Sequence, residues 1–208
     1  ECSHSLGYTY SYDTRRTGLN PNAGVLLEFG QDFGGLGGNN TYVKSTAKAI
    51  AQTKVLNEEV TLRATLEGGS LNYLSGSGRA TDRFFMGSNV MRGFEPSGIG
   101  PREVNGAVND TLGGNLFAVA RFEAEFPLGL PEEYGISGGV FYDIGSLWSL
   151  DQTNANVINQ DFAARQVVGA SLFWKTPIGP LRFNFTRAIS KQTGDREQTF
   201  DLSISTEF

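Results

Sequence analysis

The 208-residue sequence predicts an all-β fold, an antiparallel transmembrane β-barrel, on three observations. Apolar and polar residues alternate with a period of two through most of the chain, the pattern of strands with two unlike faces. Charged residues make up 19% and glycine 27 positions, less charge than the roughly 25% of an average soluble domain and about twice its glycine. No apolar run approaches the ~18 residues of a membrane-spanning helix, so a membrane would be crossed by strands.

The strands follow in order. Leu6, Tyr8, Tyr10 and Tyr12 oppose Gly7, Thr9, Ser11 and Asp13, and Val25, Leu27 and Phe29 oppose Leu26, Glu28 and Gly30. A weaker pattern covers 42–56. Val60, Leu62, Ala64 and Leu66 oppose Thr61, Arg63, Thr65 and Glu67. The clearest strand is 115–128, where Leu116, Ala118, Ala120, Phe122, Ala124, Phe126 and Leu128 form a wholly apolar face. It is long enough for the ~9–11 residues of a tilted transmembrane strand. Further strands centre on Val140–Ile144, Val168–Trp174 and Leu181–Phe185. The last runs over about 198–208 with Phe200, Leu202, Ile204 and Phe208 on one face. Nine strands result.

The connections alternate in kind. Going back from the C-terminus, 190–196 is polar, 177–180 very tight, 150–163 long, 129–135 short, 71–114 very long and 57–59 short. Outer-membrane barrels keep short turns in the periplasm and longer loops outside, and each of these fits if the last strand ends in the periplasm. A soluble β-sandwich would show the same alternation. Against it, the polar faces carry Gly, Ser and Thr rather than dense Lys and Glu. The apolar faces also begin and end in aromatics (Tyr8, Tyr12, Tyr142, Trp148, Trp174, Phe208), as interfacial girdles do.

The same composition excludes function classes. One cysteine (Cys2) and one histidine (His4) rule out a disulfide scaffold or Cys-based zinc cluster and argue against a His-built metal site or triad; no metal or cofactor is expected. A net charge of −5 gives no electrostatic footprint for nucleic acid. The opening Glu1-Cys2-Ser3-His4 is no signal peptide, and a start on Glu favours an excised piece.

Loops beyond ~12–15 residues are usually functional or disordered, which singles out 71–114. It holds Met91-Arg92-Gly93-Phe94-Glu95-Pro96-Ser97-Gly98-Ile99-Gly100-Pro101-Arg102, a stretch dense in turn-formers. Parity offers partners for its arginine: Glu123 and Asp143 lie on the polar faces of neighbouring strands. Two carboxylates that close would repel unless a cation sat between them, and a planar guanidinium suits both. Arg92 is therefore expected to pin the loop inside the barrel through Glu123 and Asp143.

The MRGF tetrad with the trailing IGPR resembles the Val-Arg-Gly-Phe/Tyr loop motif of the BamA superfamily of outer-membrane assembly factors. Met91 replaces the usual Val, a volume-tolerant exchange. The segments GGNLFAVARFEAEFPLGLPEEYGISGGVFYDIGSLW and TPIGPLRFNFTRAISK are similar to the strands that follow in alphaproteobacterial members. The resemblance implies a sixteen-stranded barrel preceded by periplasmic POTRA domains. Residues 1–208 would then be the C-terminal portion of that barrel, with 71–114 as an inward loop and no POTRA. By position Met91, Arg92, Gly93, Phe94, Ile99, Gly100 and Pro101 match the motif, and Glu123 and Asp143 match the carboxylates facing it. The last strand, with Phe200, Leu202, Ile204 and Phe208, would form one side of a lateral seam, and Phe208 would double as a sorting signal.

The implied function is assembly and insertion of β-barrel proteins into the bacterial outer membrane by strand templating at the seam. The implied partners are outer-membrane lipids, nascent barrel proteins and periplasmic lipoproteins. A two-partner-secretion pore of the same superfamily is the alternative. An outer-membrane enzyme would need a Ser/His or Asp/His constellation and is not expected.

Overall fold

A computed structural model describes residues 4–15, 23–35, 39–57, 59–76, 78–87, 90–151 and 154–204. Cys2 and Phe208 lie outside these residues. Among them, the strands in chain order are β1 (Ser5–Asp13), β2 (Ala23–Gly34), β3 (Thr41–Val55), β4 (Val60–Ser75), β5 (Arg102–Asn105), β6 (Val108–Thr111), β7 (Leu116–Pro127), β8 (Ile136–Trp148), β9 (Val157–Ile158), β10 (Arg165–Thr176), β11 (Gly179–Ser190) and β12 (Phe200–Ile204). Nine of them make one antiparallel sheet in the order β1-β2-β3-β4-β7-β8-β10-β11-β12. The other three form a small sheet, β6-β5-β9, on the long connections. β1 and β12 are the edges of the large sheet, which is not closed.

The sheet curls. Arg182 on β11 reaches Glu123 on β7, three strands along the sheet, so the polar faces line a concave interior. The period-two pattern sorts the faces as expected: Leu6, Tyr8, Tyr10, Tyr12, Leu27, Phe29, Leu66, Phe122, Val140, Phe185 and Ile189 point outward and are exposed. Among the described residues no helix is long and apolar enough to cross a membrane, and the long outward apolar faces belong to strands.

The core lies on the concave side. Met86, Met91, Phe94 and Ile99 of the inserted connection pack against Phe117, Val119, Phe141, Leu147 and Val167 of the wall. These wall residues stand at lumen-facing positions, where polar side chains are otherwise the rule. They are apolar because the loop covers them; the break in alternation is the loop's footprint.

Three expectations are corrected. β4 continues to Ser75, so the inserted connection begins at 76, not 71. Leu71 sits at an inward position, is buried, and donates its N–H to Asn115 O at 2.8 Å. An apolar residue at an inward position breaks the alternation, which disguised the end of the strand. At the other end, β12 begins at Phe200 rather than near 198, for a reason given below. Finally, the loop-size rule fails at the first hairpin: the 14–22 connection, on the short-turn side, is longer than 35–40 on the long-loop side.

Candidate functional site

The inserted segment is shaped by its turn-formers. Met91 donates its N–H to Gly87 O at 2.8 Å, and Gly98 donates to Glu95 O at 2.8 Å. Gly93 and Gly100 adopt φ of +93° and +108°, in the left-handed region that side chains rarely tolerate. Space is equally restrictive: a Cβ on Gly93 would lie 2.7 Å from Val167 Cγ1, and one on Gly100 2.6 Å from Leu147 Cδ2. These two glycines let the backbone lie flat on β10 and β8. Phe94 and Ile99 are fully buried between them, and Ile99 forms a β-bridge with Met86. Pro101 is buried, and its carbonyl accepts the Leu112 N–H at 3.0 Å.

Arg92 lies at the centre. Its backbone N–H and Nε donate to Asp143 Oδ2 at 3.1 and 2.9 Å, and Nη2 donates to Asp143 Oδ1 at 2.6 Å. Nη1 donates to Glu123 Oε2. The guanidinium stacks on the Phe141 ring, 3.7 Å from its centroid, a placement that adds cation–π attraction. Phe141 pairs across the ladder with Gly169, and a Cβ at Gly169 would collide with the ring. The chain of dependence therefore runs from Gly169 to the flat Phe141 ring and on to the seat of Arg92.

Burial opposes the charge on Arg92, but the hydrogen bonds and charge of Asp143, with Glu123 beside it, outweigh burial and hold its pKa above the ordinary arginine value. The guanidinium stays charged at every accessible pH. Such a buried cluster repays desolvation only when all its partners are in place, and removing one costs ~3–5 kcal/mol.

Glu123 has further partners that parity alone did not single out. Arg182 Nη2 donates to Glu123 Oε2 at 2.5 Å, and Arg63 Nη1 to Oε1 at 3.3 Å. Arg182 is also held by Asn184 Oδ1 at 2.8 Å. Both arginines occupy lumen-facing positions, so the alternation that located Glu123 could have found them. Beside the cluster the lumen opens into a cavity of about 530 Å³ lined by Arg63, Arg92, Arg121, Arg182, Glu123 and Asp201. Two further buried arginines had no sequence signal as anchors: one ties down the connection after β11, the other braces the inserted segment itself. Arg165 on β10 and Asp195 form a fully buried ion pair at 2.9 Å, and Arg102 donates to Asn109 Oδ1 at 2.6 Å and Ser97 O at 2.8 Å.

The residues expected on the last strand lie apart from this cluster. Phe200, Leu202 and Ile204 face outward and are exposed. β12 pairs on one side only, with Leu181–Phe185 of β11; its other edge has no partner among the described residues. A strand edge in a bilayer is costly, because lipid offers its N–H and C=O groups nothing to bond.

Comparison with known proteins bears on both features. The Omp85 superfamily domain matches residues 3–208. Outer membrane protein assembly factor BamA of Neorickettsia risticii is 35% identical over 90% of this chain and 25% of its own length. The protein of that name from Nitratidesulfovibrio vulgaris is 24% identical over 85% of this chain and 22% of its own. The chain thus spans about a quarter of the length of these two curated relatives. The crystal structure of BamA from Haemophilus ducreyi lacking POTRA domains 1–3 superposes with a TM-score of 0.78 at 20% identity, covering 95% of this chain and 41% of that one, a likeness in fold.

Proposed function

Because the chain belongs to the Omp85 superfamily, we propose that it is the C-terminal part of an outer-membrane β-barrel that assembles and inserts other barrel proteins into the bacterial outer membrane. Residues 1–208 form part of the barrel domain in this reading, and the remaining strands and periplasmic POTRA domains precede them. Its surroundings are outer-membrane lipids, its substrates nascent barrel proteins, and its auxiliary partners periplasmic lipoproteins. The observation that carries the reading is the pairing of a motif loop fastened inside the lumen through Arg92, Glu123 and Asp143 with a terminal strand bonded on one side only.

The mechanism needs no covalent chemistry. A nascent strand entering lipid must satisfy its backbone groups, and an edge that offers N–H and C=O at strand spacing lowers the barrier by β-augmentation. β12 supplies that edge, and the fastened loop keeps the neighbouring wall in shape while it opens. In the full-length protein, a cysteine replacing Ser203 is expected to form disulfide adducts with cysteines in the terminal strand of a substrate barrel during assembly. Normal assembly with no adduct at β12 would end the reading.

A further inference from the structure

The motif loop is bonded to the chain that leads into β12. Gln198 donates its N–H to Gly93 O at 2.9 Å, Glu95 donates to Arg196 O at 2.9 Å, and Arg196 donates to Gly98 O at 2.8 Å. Phe94 and Glu197 thereby form an antiparallel bridge. This bridge lies just ahead of the start of β12. The β11 ladder pairs Phe185 with Phe200, and Thr186 still donates to Thr199 O at 2.9 Å. In the same register the next pairs would be Arg187 with Gln198, Ala188 with Glu197 and Ile189 with Arg196. In that ladder only Glu197 would turn its backbone groups to β11, meeting Ala188; Arg196 and Gln198 face the other way, and through them the loop tethers the segment, so that Ala188 N–H meets the Glu197 carboxylate rather than its carbonyl.

The abandoned edge of β11 is closed by side chains. Ala188 N–H, which would meet a strand carbonyl, donates to Glu197 Oε1 at 3.1 Å, and Lys191 Nζ holds the other oxygen at 2.8 Å. Thr186 Oγ1 donates to Gln198 O at 2.7 Å. The buried Arg165–Asp195 pair fixes the turn just upstream, where Gln192 N–H donates to Asp195 Oδ2 at 2.8 Å.

We propose that Glu197 and the loop-bound segment 196–198 are positioning elements that set the length of the seam strand. While the loop holds 196–198, β12 starts at Phe200 and Glu197 seals the β11 edge above it. When the loop lets go, 196–199 zips onto β11 and lengthens the strand offered at the seam. The inference rests on the reading of β12 as the seam and adds the control of its length.

The test uses the full-length protein in vesicles of outer-membrane lipid, with Cys2→Ser, Ile189→Cys and Arg196→Cys. In the extended ladder these two cysteines are a non-hydrogen-bonded pair with Cα atoms ~4.5 Å apart, within disulfide reach. Little disulfide is expected in this parent. Glu95→Pro removes the N–H that bonds Arg196 O and spares every Arg92 contact; it should raise the yield severalfold, as should Glu197→Ala. Glu197→Gln keeps an oxygen for the Ala188 N–H and should stay at the parent level. A high yield in the parent, or no rise with either Glu95→Pro or Glu197→Ala, would overturn the proposal. The yield needs no substrate, so the two readings separate. If it responds while substrate assembly in the same vesicles stays at the parent rate, length control stands and the seam reading falls.

Discussion

The wall made by β7, β8 and β10 and the two edge strands β1 and β12 are built from the same alternating pattern, yet they differ in what lies on their concave side. On the wall, Asp143, Leu147 and Val167 have no solvent exposure, because the loop packs on them and its arginine pairs with the carboxylate. β1 is exposed at nearly every position and β12 at every second one, with one ladder each. The difference teaches that burial in this curled sheet follows the plug inside rather than the ladders, which both regions have.

Breaking the plug should therefore cost far more than disturbing an edge. The largest effect is expected for Arg92→Ala, which strands Asp143 and leaves Glu123 one cation fewer: a loss of about 3–5 kcal/mol, read from the urea midpoint of the full-length protein in lipid vesicles. Arg92→Lys should recover only part of it, since a point charge cannot reproduce the fork that binds Asp143 through two nitrogens. Phe94→Ala comes next, with a cavity among Met86, Ile99 and Val167 and a loss of about 3 kcal/mol by the same measurement. Full stability in either variant would show that the plug does not hold the wall.

Arg182→Ala sharpens the comparison, because Arg182 stands on the strand next to β12 but bonds to the wall. Glu123 keeps Arg92 and Arg63, so a loss of about 1.5 kcal/mol is expected, in line with one charged hydrogen bond. The smallest effect is a pH dependence at the edge. The hydrogen bond from Lys191, with that from the Ala188 N–H, holds the Glu197 carboxyl below the usual carboxylate range. A depressed folded pKa means that the stabilisation is present above the unfolded value of ~4.3 and is lost as pH falls through the folded one. Amide exchange at Ala188, corrected for its intrinsic rate, should rise as the pH is lowered through that window while the Glu95 amide, bonded to the Arg196 carbonyl, stays protected. Equal rises at both would erase the distinction.

Much of this contrast was legible in the sequence. Alternation located the nine strands of the large sheet, and parity placed Glu123 and Asp143 where a cation from the loop could reach both. Arg63 and Arg182 obey the same parity and needed only to be weighed. Leu71 was misread because it is an apolar, buried residue at an inward position, and a period-two reading assumes that inward means polar. The Arg165–Asp195 pair and the bonds from Gly93, Glu95 and Gly98 to 196–198 left no trace. The first joins residues distant in the chain, and the second uses backbone atoms, which carry no side-chain signal.

The central claim is that the arginine anchor and the start of β12 are one mechanical unit, and amide exchange in the full-length protein with Asp143→Asn tests it most directly. The substitution preserves shape but takes away the charge that Arg92 binds. Faster exchange is predicted at Arg92, whose N–H bonds Asp143, and together with it at Gln198, whose N–H bonds Gly93 beside the anchor. Faster exchange at Arg92 with Gln198 unchanged would contradict the account.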